Sequence, residues 1–397
     1  MTPTVLPRAE RKVWREMLAF PNTTHIAVAA AMLFFSAIAI PLSIDPMVAL
    51  SFLLCCLLFY YSLTRSILSL AIYALPAFLL WSFSSLFEGM PNHFIIPTAF
   101  FALMAGGACG AFLFLHCHSL KKHAFVYLLP LLAFGAVLLV SRDPILALLT
   151  LLPFALAALL ALCLAFCLPH TDSVIAATAL LTLLLSVVGI VAMARFGLLE
   201  GNLLSAFADL LSNTLSSALA QMRELYAQAG MELVLSDIDI ANTVAMFINL
   251  SPALLVILCT VTAFLTWRTL LGLLIAWRTL PRPPRRLAAL SLSAASAALF
   301  LLSYLIAMIA NSEQATPVGV VAQNLSLVLE PAMALVGFGS LFSKKEASRS
   351  CLSYLLIFGI LFLLWTNPGA ALALVSFFGA IQILLHRFSP ITNKKGD

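Results

Sequence analysis

Twelve long stretches almost free of charge constrain the fold more than anything else in this chain. They cover approximately residues 25–42, 46–62, 66–86, 94–115, 124–140, 144–168, 173–196, 250–267, 287–310, 317–342, 350–365 and 368–386. A membrane-spanning helix needs about 20 mostly apolar residues, with a range of roughly 17–25. In lipid every backbone N–H and C=O must find its partner within the protein, which leaves helices or a closed barrel. The apolar runs are continuous rather than alternating, which argues against barrel strands. Composition agrees: 63% of the residues are hydrophobic and 9% charged, against about 25% charged in soluble domains. The expected fold is an all-α, polytopic transmembrane helical bundle of about twelve spans.

Orientation follows from the basic residues. With the N-terminus in the cytoplasm, 18 of the 21 Lys and Arg fall on inner segments, and only Arg142, Arg195 and Arg223 fall outside. Alternate loops then follow the positive-inside rule, so span count and orientation support each other. Both termini are expected to be cytoplasmic and the protein to be a multi-pass resident of the cell membrane. A three-part division is expected: a six-helix membrane half over 1–168, the seventh span with a long outer segment over 169–249, and a five-helix membrane half over 250–397. The basic residues lie in short clusters beside the spans, where they face anionic headgroups. The net charge of +5 therefore needs no nucleic acid to explain it.

Two stretches break the regular pattern. In the outer connection 198–249, Leu203, Leu204, Phe207, Leu210, Leu211, Leu215, Leu219 and Met222 recur at three- and four-residue steps. Asp209, Asn213, Ser216, Arg223 and Glu224 lie largely off that face. This spacing predicts an amphipathic helix. It fits either a helix lying on the outer membrane surface or a lid over an outward-facing cavity. On the inner side, WRTL occurs at Trp267–Leu270 and again at Trp277–Leu280, before Pro281, Pro283 and Pro284. Trp beside Arg is expected at headgroup level, with the helix either turning onto the inner surface or continuing while Arg268 snorkels.

Glu330 is the most informative single residue. It falls near the middle of the tenth run, where an ionised side chain costs on the order of 2.5–3.5 kcal/mol. Gln323, Ser326 and Glu330 share a face at three- and four-residue steps, and Asn324 adjoins it. Pro331 removes an N–H at the same depth. This stripe is the candidate substrate or ion path; an acid protonated and satisfied by a neighbouring helix is the structural alternative. Gly106 and Gly110, with Gly107 between them, and Ala27 with Ala31 form small-xxx-small patterns expected to serve helix packing. His116, Cys117, His118 and His123 cluster at an inner helix end, but Lys121 and Lys122 oppose a cation and the spacing matches no standard zinc pattern. No metal and no cofactor is expected. The chain has no phosphate-loop, H-E-x-x-H or G-x-S-x-G motif, so an enzyme is the less favoured expectation.

The segment containing Ser251-Pro252, AWRTLPRPPRRL and NLSLVLEPAMALVGFGSLF, about residues 250–345, resembles the YybS-like family of predicted bacterial membrane proteins, whose function is uncharacterised. The first six spans are similar in count and orientation to the S components of energy-coupling-factor vitamin transporters. That resemblance implies docking of a membrane coupling subunit on small residues of the first helix, at Ala27 and Ala31. The chain continues for six spans beyond the length of an S component. Small-solute transport or substrate binding in the membrane is the expected function. The expected partners are the bilayer, other membrane subunits or a transporter ATPase module. The alternative is an envelope-biogenesis enzyme or assembly factor acting on lipid-linked substrates, with Arg195 and Arg223 holding a pyrophosphate, or a membrane scaffold. The topology has a direct test. Reporters placed beside Lys121 and beside Lys344 should both be reached from the cytoplasmic side alone; labelling on opposite sides would undo it.

Overall fold

The structure is a computed structural model that describes residues 22–42, 46–64, 95–120, 128–166, 168–195, 237–277, 292–310, 316–341 and 366–388, with residue 359 and seven residues between 212 and 224. Apart from residue 359, the expected spans at 66–86 and 350–365 lie outside the described residues. Every extended element among the described residues is an α-helix. In chain order these are α1 (Thr23–Leu42), α2 (Pro46–Thr64), α3 (Ile95–Leu120), α4 (Leu129–Ser141), α5 (Pro144–Leu149), α6 (Leu151–Ala165), α7 (His170–Arg195), α8 (Asp237–Ala276), α9 (Ala294–Ala310), α10 (Pro317–Leu341) and α11 (Pro368–Phe388). Six stretches, in α1, α3, α5–α6, α7, α8 and α10, are long and apolar enough to cross a membrane, while α2, α4, α9 and α11 are shorter apolar helices.

Two boundaries differ from the sequence reading, each for a local reason. The run 144–168 is stepped at Thr150, whose N–H and hydroxyl both bond the Ala147 carbonyl, at 3.2 and 2.7 Å. Pro153 follows, and its ring crowds the Leu149 carbonyl four residues back. The helix expected at 250–267 instead runs for 40 residues. Helix-compatible polar residues extend it on the N-terminal side from Asp237, and the apolar stretch Leu270–Ala276 extends it on the C-terminal side.

The chain divides into two compact units, residues up to Ile248 with Leu258–Ala289, and Asn249–Ile257 with Leu290–Asp397. The centre of the first is α3, buried on nearly every side from Phe100 to Leu113. Gly106 faces Ser36 of α1 and Pro153 of α6, Gly107 faces Leu156 of α6 and Thr266 of α8, and Gly110 faces Ala157 and Leu33. A Cβ at Gly110 would sit 2.6 Å from that of Ala157, so the backbones approach as closely as glycine permits. Ala27 and Ala31 lie on the outer, exposed face of α1, while Ala29, Leu33, Ser36 and Ala37 fill its inner face. Between α4 and α5 the chain reverses at Arg142, which takes the left-handed conformation (φ 53°) and returns its N–H to Leu138. Cys56, Cys109, Cys163 and Cys259 are buried thiols within helices, and Cys55 is exposed on α2.

In the second unit the three full helices start on side-chain caps. Ser293 accepts the Ser296 N–H, Thr316 the Gly319 N–H and Asn367 the Ala370 N–H, at 3.0–3.1 Å. Such caps satisfy donors left over at a helix start, and Pro317 and Pro368 occupy first-turn positions where no N–H is needed. The core is Ala297 and Phe300 of α9, Met333 of α10 and Ala380 of α11, with Leu329 and Phe377 packed around them. Helices α10 and α11 cross at Gly337 and Gly379. A Cβ on Gly337 would collide with the Val375 carbonyl, and one on Gly379 with the Met333 carbonyl. Neither backbone oxygen can swing aside as a side chain can. Gly379→Ala should therefore lower the thermal midpoint in mild detergent by the equivalent of about 1–3 kcal/mol. Gly135→Ala, with nothing within 4 Å of the added carbon, should leave it unchanged or raise it. Equal midpoints would disprove the close crossing.

Candidate functional site

The polar groups of the second unit gather around α10. Asn324 gives one amide hydrogen to the Asn249 carbonyl (2.7 Å) and the other to Val320 of its own helix (2.9 Å); its oxygen accepts the Ala253 N–H (3.1 Å). Asn249 and Ala253 stand four residues apart, so their C=O and N–H are the two ends of one helical turn of α8. That turn contains Pro252, which lacks an N–H and crowds the Ile248 carbonyl four residues back. The carboxamide thus bonds both ends of the turn that proline disturbs. A fixed donor on one side and a fixed acceptor on the other also settle which way the amide points.

Two residues on, the buried Ser326 hydroxyl donates to the Gln323 carbonyl at 2.9 Å. Asn324 lies about 100° round the helix from Gln323. The sequence stripe is therefore split, with Asn324 turned to α8, while Gln323, Ser326 and Glu330 share the other face. The Ser376 hydroxyl of α11 is placed to donate both to Leu372 of its own helix (2.8 Å) and to the Glu330 carbonyl (3.1 Å), beside Pro331. Glu330 is half-buried, between Ser326 one turn before and Ala334 and Met333 one turn after, all three buried. Its position is thus on the face that α10 turns to its own unit. Among the described residues its carboxyl has no hydrogen bond and no ion pair.

A second cluster lies in the first unit. The rings of His25 and Trp277 stack at 4.8 Å and 4°, and Phe112 meets Trp277 edge-on at 4.7 Å. His116 leans on Phe112 at 4.4 Å and its Nδ1 lies 2.8 Å from the Phe112 carbonyl. His170 sits beside Phe264 and Trp267, at 5.6 and 6.0 Å. Trp267 is fully buried, while Arg268 beside it is exposed. The repeated WRTL element therefore sets both tryptophans against histidines, Trp267 fully buried and Trp277 partly so, while α8 continues through Arg268. The Nδ1 atoms of His25 and His170 are buried without a hydrogen-bond partner among the described residues. Cys117 and His118 belong to α3, but their side chains, like His123, lie outside the described residues. In the long connection, Asn213, Ser216, Arg223 and Glu224 are helical and exposed, and Arg195 ends α7.

Residues 93–344 match the family described as predicted membrane protein (DUF2232), well over half of the chain. The chain belongs to that family. No curated protein and no solved structure matches it. The DUF2232 match runs from the start of α3 past the end of α10. It includes Asn249, Pro252, Asn324 and Glu330, and it stops before α11 with Ser376 and Gly379. Within the DUF2232 region the sequence pattern singled out Gln323, Asn324, Ser326 and Glu330 but not Asn249 and Ala253, the partners of Asn324 on α8. A proline inside a spanning run was the available signal, because a disturbed turn in lipid has to be completed by another helix. The coupling between the two is measurable. Asn324→Leu should lower stability by about 1–2 kcal/mol, from three lost hydrogen bonds at modest net worth each in a membrane. In a Pro252→Ala background the same change should cost about half as much, since alanine restores a regular turn. Purely additive midpoints in that cycle would refute the coupling.

Proposed function

We propose that this chain is a twelve-span protein of the cell membrane, with both termini cytoplasmic, that binds or moves a small solute along the polar face of α10. In this reading 1–168 and 250–397 are two membrane halves joined by 169–249, and the resemblance of residues 250–345 to the YybS-like proteins supports a kinship with them. The observation that carries the reading is the Glu330 carboxyl, half-buried in a spanning helix with no partner among the described residues. Acids in spanning segments are costly, and one serving structure alone gains by pairing with a neighbour. Asn324 and Ser326 spend their hydrogens on backbone carbonyls, which supports a division of labour. They hold α10 in place, and Glu330, with Gln323 on the same face, meets what passes.

The exposed Ala27 and Ala31 on α1 support a second element of the proposal, a seat for another membrane subunit such as the coupling subunit of a transporter ATPase. Small residues let a foreign helix approach closely, and the resemblance of the first six spans to S components points the same way.

The test begins with the full chain in mild detergent, screened for small solutes that raise its thermal midpoint, followed by uptake into proteoliposomes. At least one solute should bind and be taken up, with or without a co-purifying ATPase. Glu330→Leu should keep the unliganded midpoint within a few degrees and abolish uptake. No solute bound or moved, and no partner recovered, would overturn the transport reading.

A further inference from the structure

We propose that Glu330 is a proton-binding site, taking up and releasing one proton within the span, rather than part of a site for a metal cation. The inference rests on the transport reading for its purpose, but its chemistry stands on what surrounds the carboxyl. A sodium ion or a divalent cation needs several oxygen ligands converging on one point. The Asn and Ser side chains nearest Glu330 along α10 and across from it bond backbone groups, and no described side chain bonds the Glu330 carboxyl, so no set of ligands converges on it. Asn324 turns its oxygen to the Ala253 N–H, and the Ser326 and Ser376 hydroxyls donate to backbone carbonyls. The Glu330 carbonyl itself already receives Ser376.

No fixed positive charge answers the carboxylate among the described residues either. Along α10 Glu330 is the only titratable residue, and the α8 segment Asn249–Ile257 has none. On α9 the only one is Tyr304, whose ring packs on Phe300 and Phe377. On α11 only His386 and Arg387 titrate, ten or more residues beyond Ser376 and so about 15 Å along the helix. A carboxylate in apolar surroundings, with neither cation nor donor, has one inexpensive way to lose its charge, which is to bind a proton. The step is simple in balance: RCOO⁻ and H⁺ give RCOOH, and the reverse releases the proton on whichever side water reaches the group.

The test is labelling of the full-length protein in lipid by dicyclohexylcarbodiimide, an apolar reagent that attacks protonated carboxyls, with the adduct located by mass spectrometry. Glu330 should carry the adduct near pH 5, and labelling should fall by about tenfold per pH unit above its midpoint. Sodium replacing choline at constant ionic strength should make no difference. The infrared band of a protonated carboxyl should be present at low pH and vanish in Glu330→Gln, a reading that needs no access by the reagent. Protection by sodium overturns the proposal in favour of a cation site while leaving the solute path intact. Absence of both adduct and band also overturns it. Labelling as described, in a protein that moves no solute, leaves the proton site standing and removes the transport reading.

Discussion

An unpaired backbone N–H or C=O in hydrocarbon costs several kcal/mol, because no water is there to take the missing bond. Regular helix meets that demand residue by residue. Proline does not, and this chain places prolines inside spanning helices at Pro41, Pro252 and Pro331. At Pro252 the remedy lies on another helix, where Asn324 reaches from α10 to both ends of the disturbed turn. Ser376 of α11 adds a donor at the Glu330 carbonyl, beside Pro331. The polar residues of the second unit are thus distributed by where prolines disturb the backbone, and the shape of that unit follows from the bonds that result.

Lipid tails are as apolar as leucine, so burial of apolar surface does little to bring spanning helices together. Close contact and hydrogen bonds must do it. The two units draw on these differently. In the first, three glycines on one central helix admit α1 and α6 to close approach and leave room for Thr266 of α8, and tryptophan–histidine and tryptophan–phenylalanine pairs add about 0.5–1.5 kcal/mol each. In the second, Gly337 and Gly379 let α10 and α11 cross backbone to backbone, and side-chain hydrogen bonds tie α10 to helices on two sides. The large exposed side chains, such as Phe35, Leu58, Leu131 and Leu139, form the apolar surface expected where the surroundings are lipid.

Hydropathy made the helices legible because each apolar run reports its own solvent. The positions of α1, α2, α7, α10 and α11 follow the runs closely. The step at Thr150 was hidden because a proline within an apolar run predicts disturbance without saying whether the helix bends, steps or ends. The length of α8 was hidden for the opposite reason: polar residues at 237–243 are compatible with helix as well as loop. The partner of Trp267 was hidden because sequence spacing does not show that His170 stands opposite. At the site, Glu330 announces itself by charge alone. The bond from Asn324 to the Pro252 turn joins residues 71 and 75 apart, and nothing local in either segment names the other.

Those bonds also separate position from chemistry at Glu330. The helix that carries it is held on one side by Asn324, six residues earlier, and on the other by Ser376 at its own carbonyl and by the glycine crossing seven residues later. None of these contacts uses the Glu330 carboxyl. The side chain is therefore placed by interactions in which it takes no part, while its own charge is left unanswered by any described neighbour. Selection for stability alone would favour an apolar residue there, since packing would be kept and the desolvation cost removed. Under the proton-site proposal the acid has its explanation in what it binds, and contacts that hold α10 without using the carboxyl would let its charge change without moving the helix.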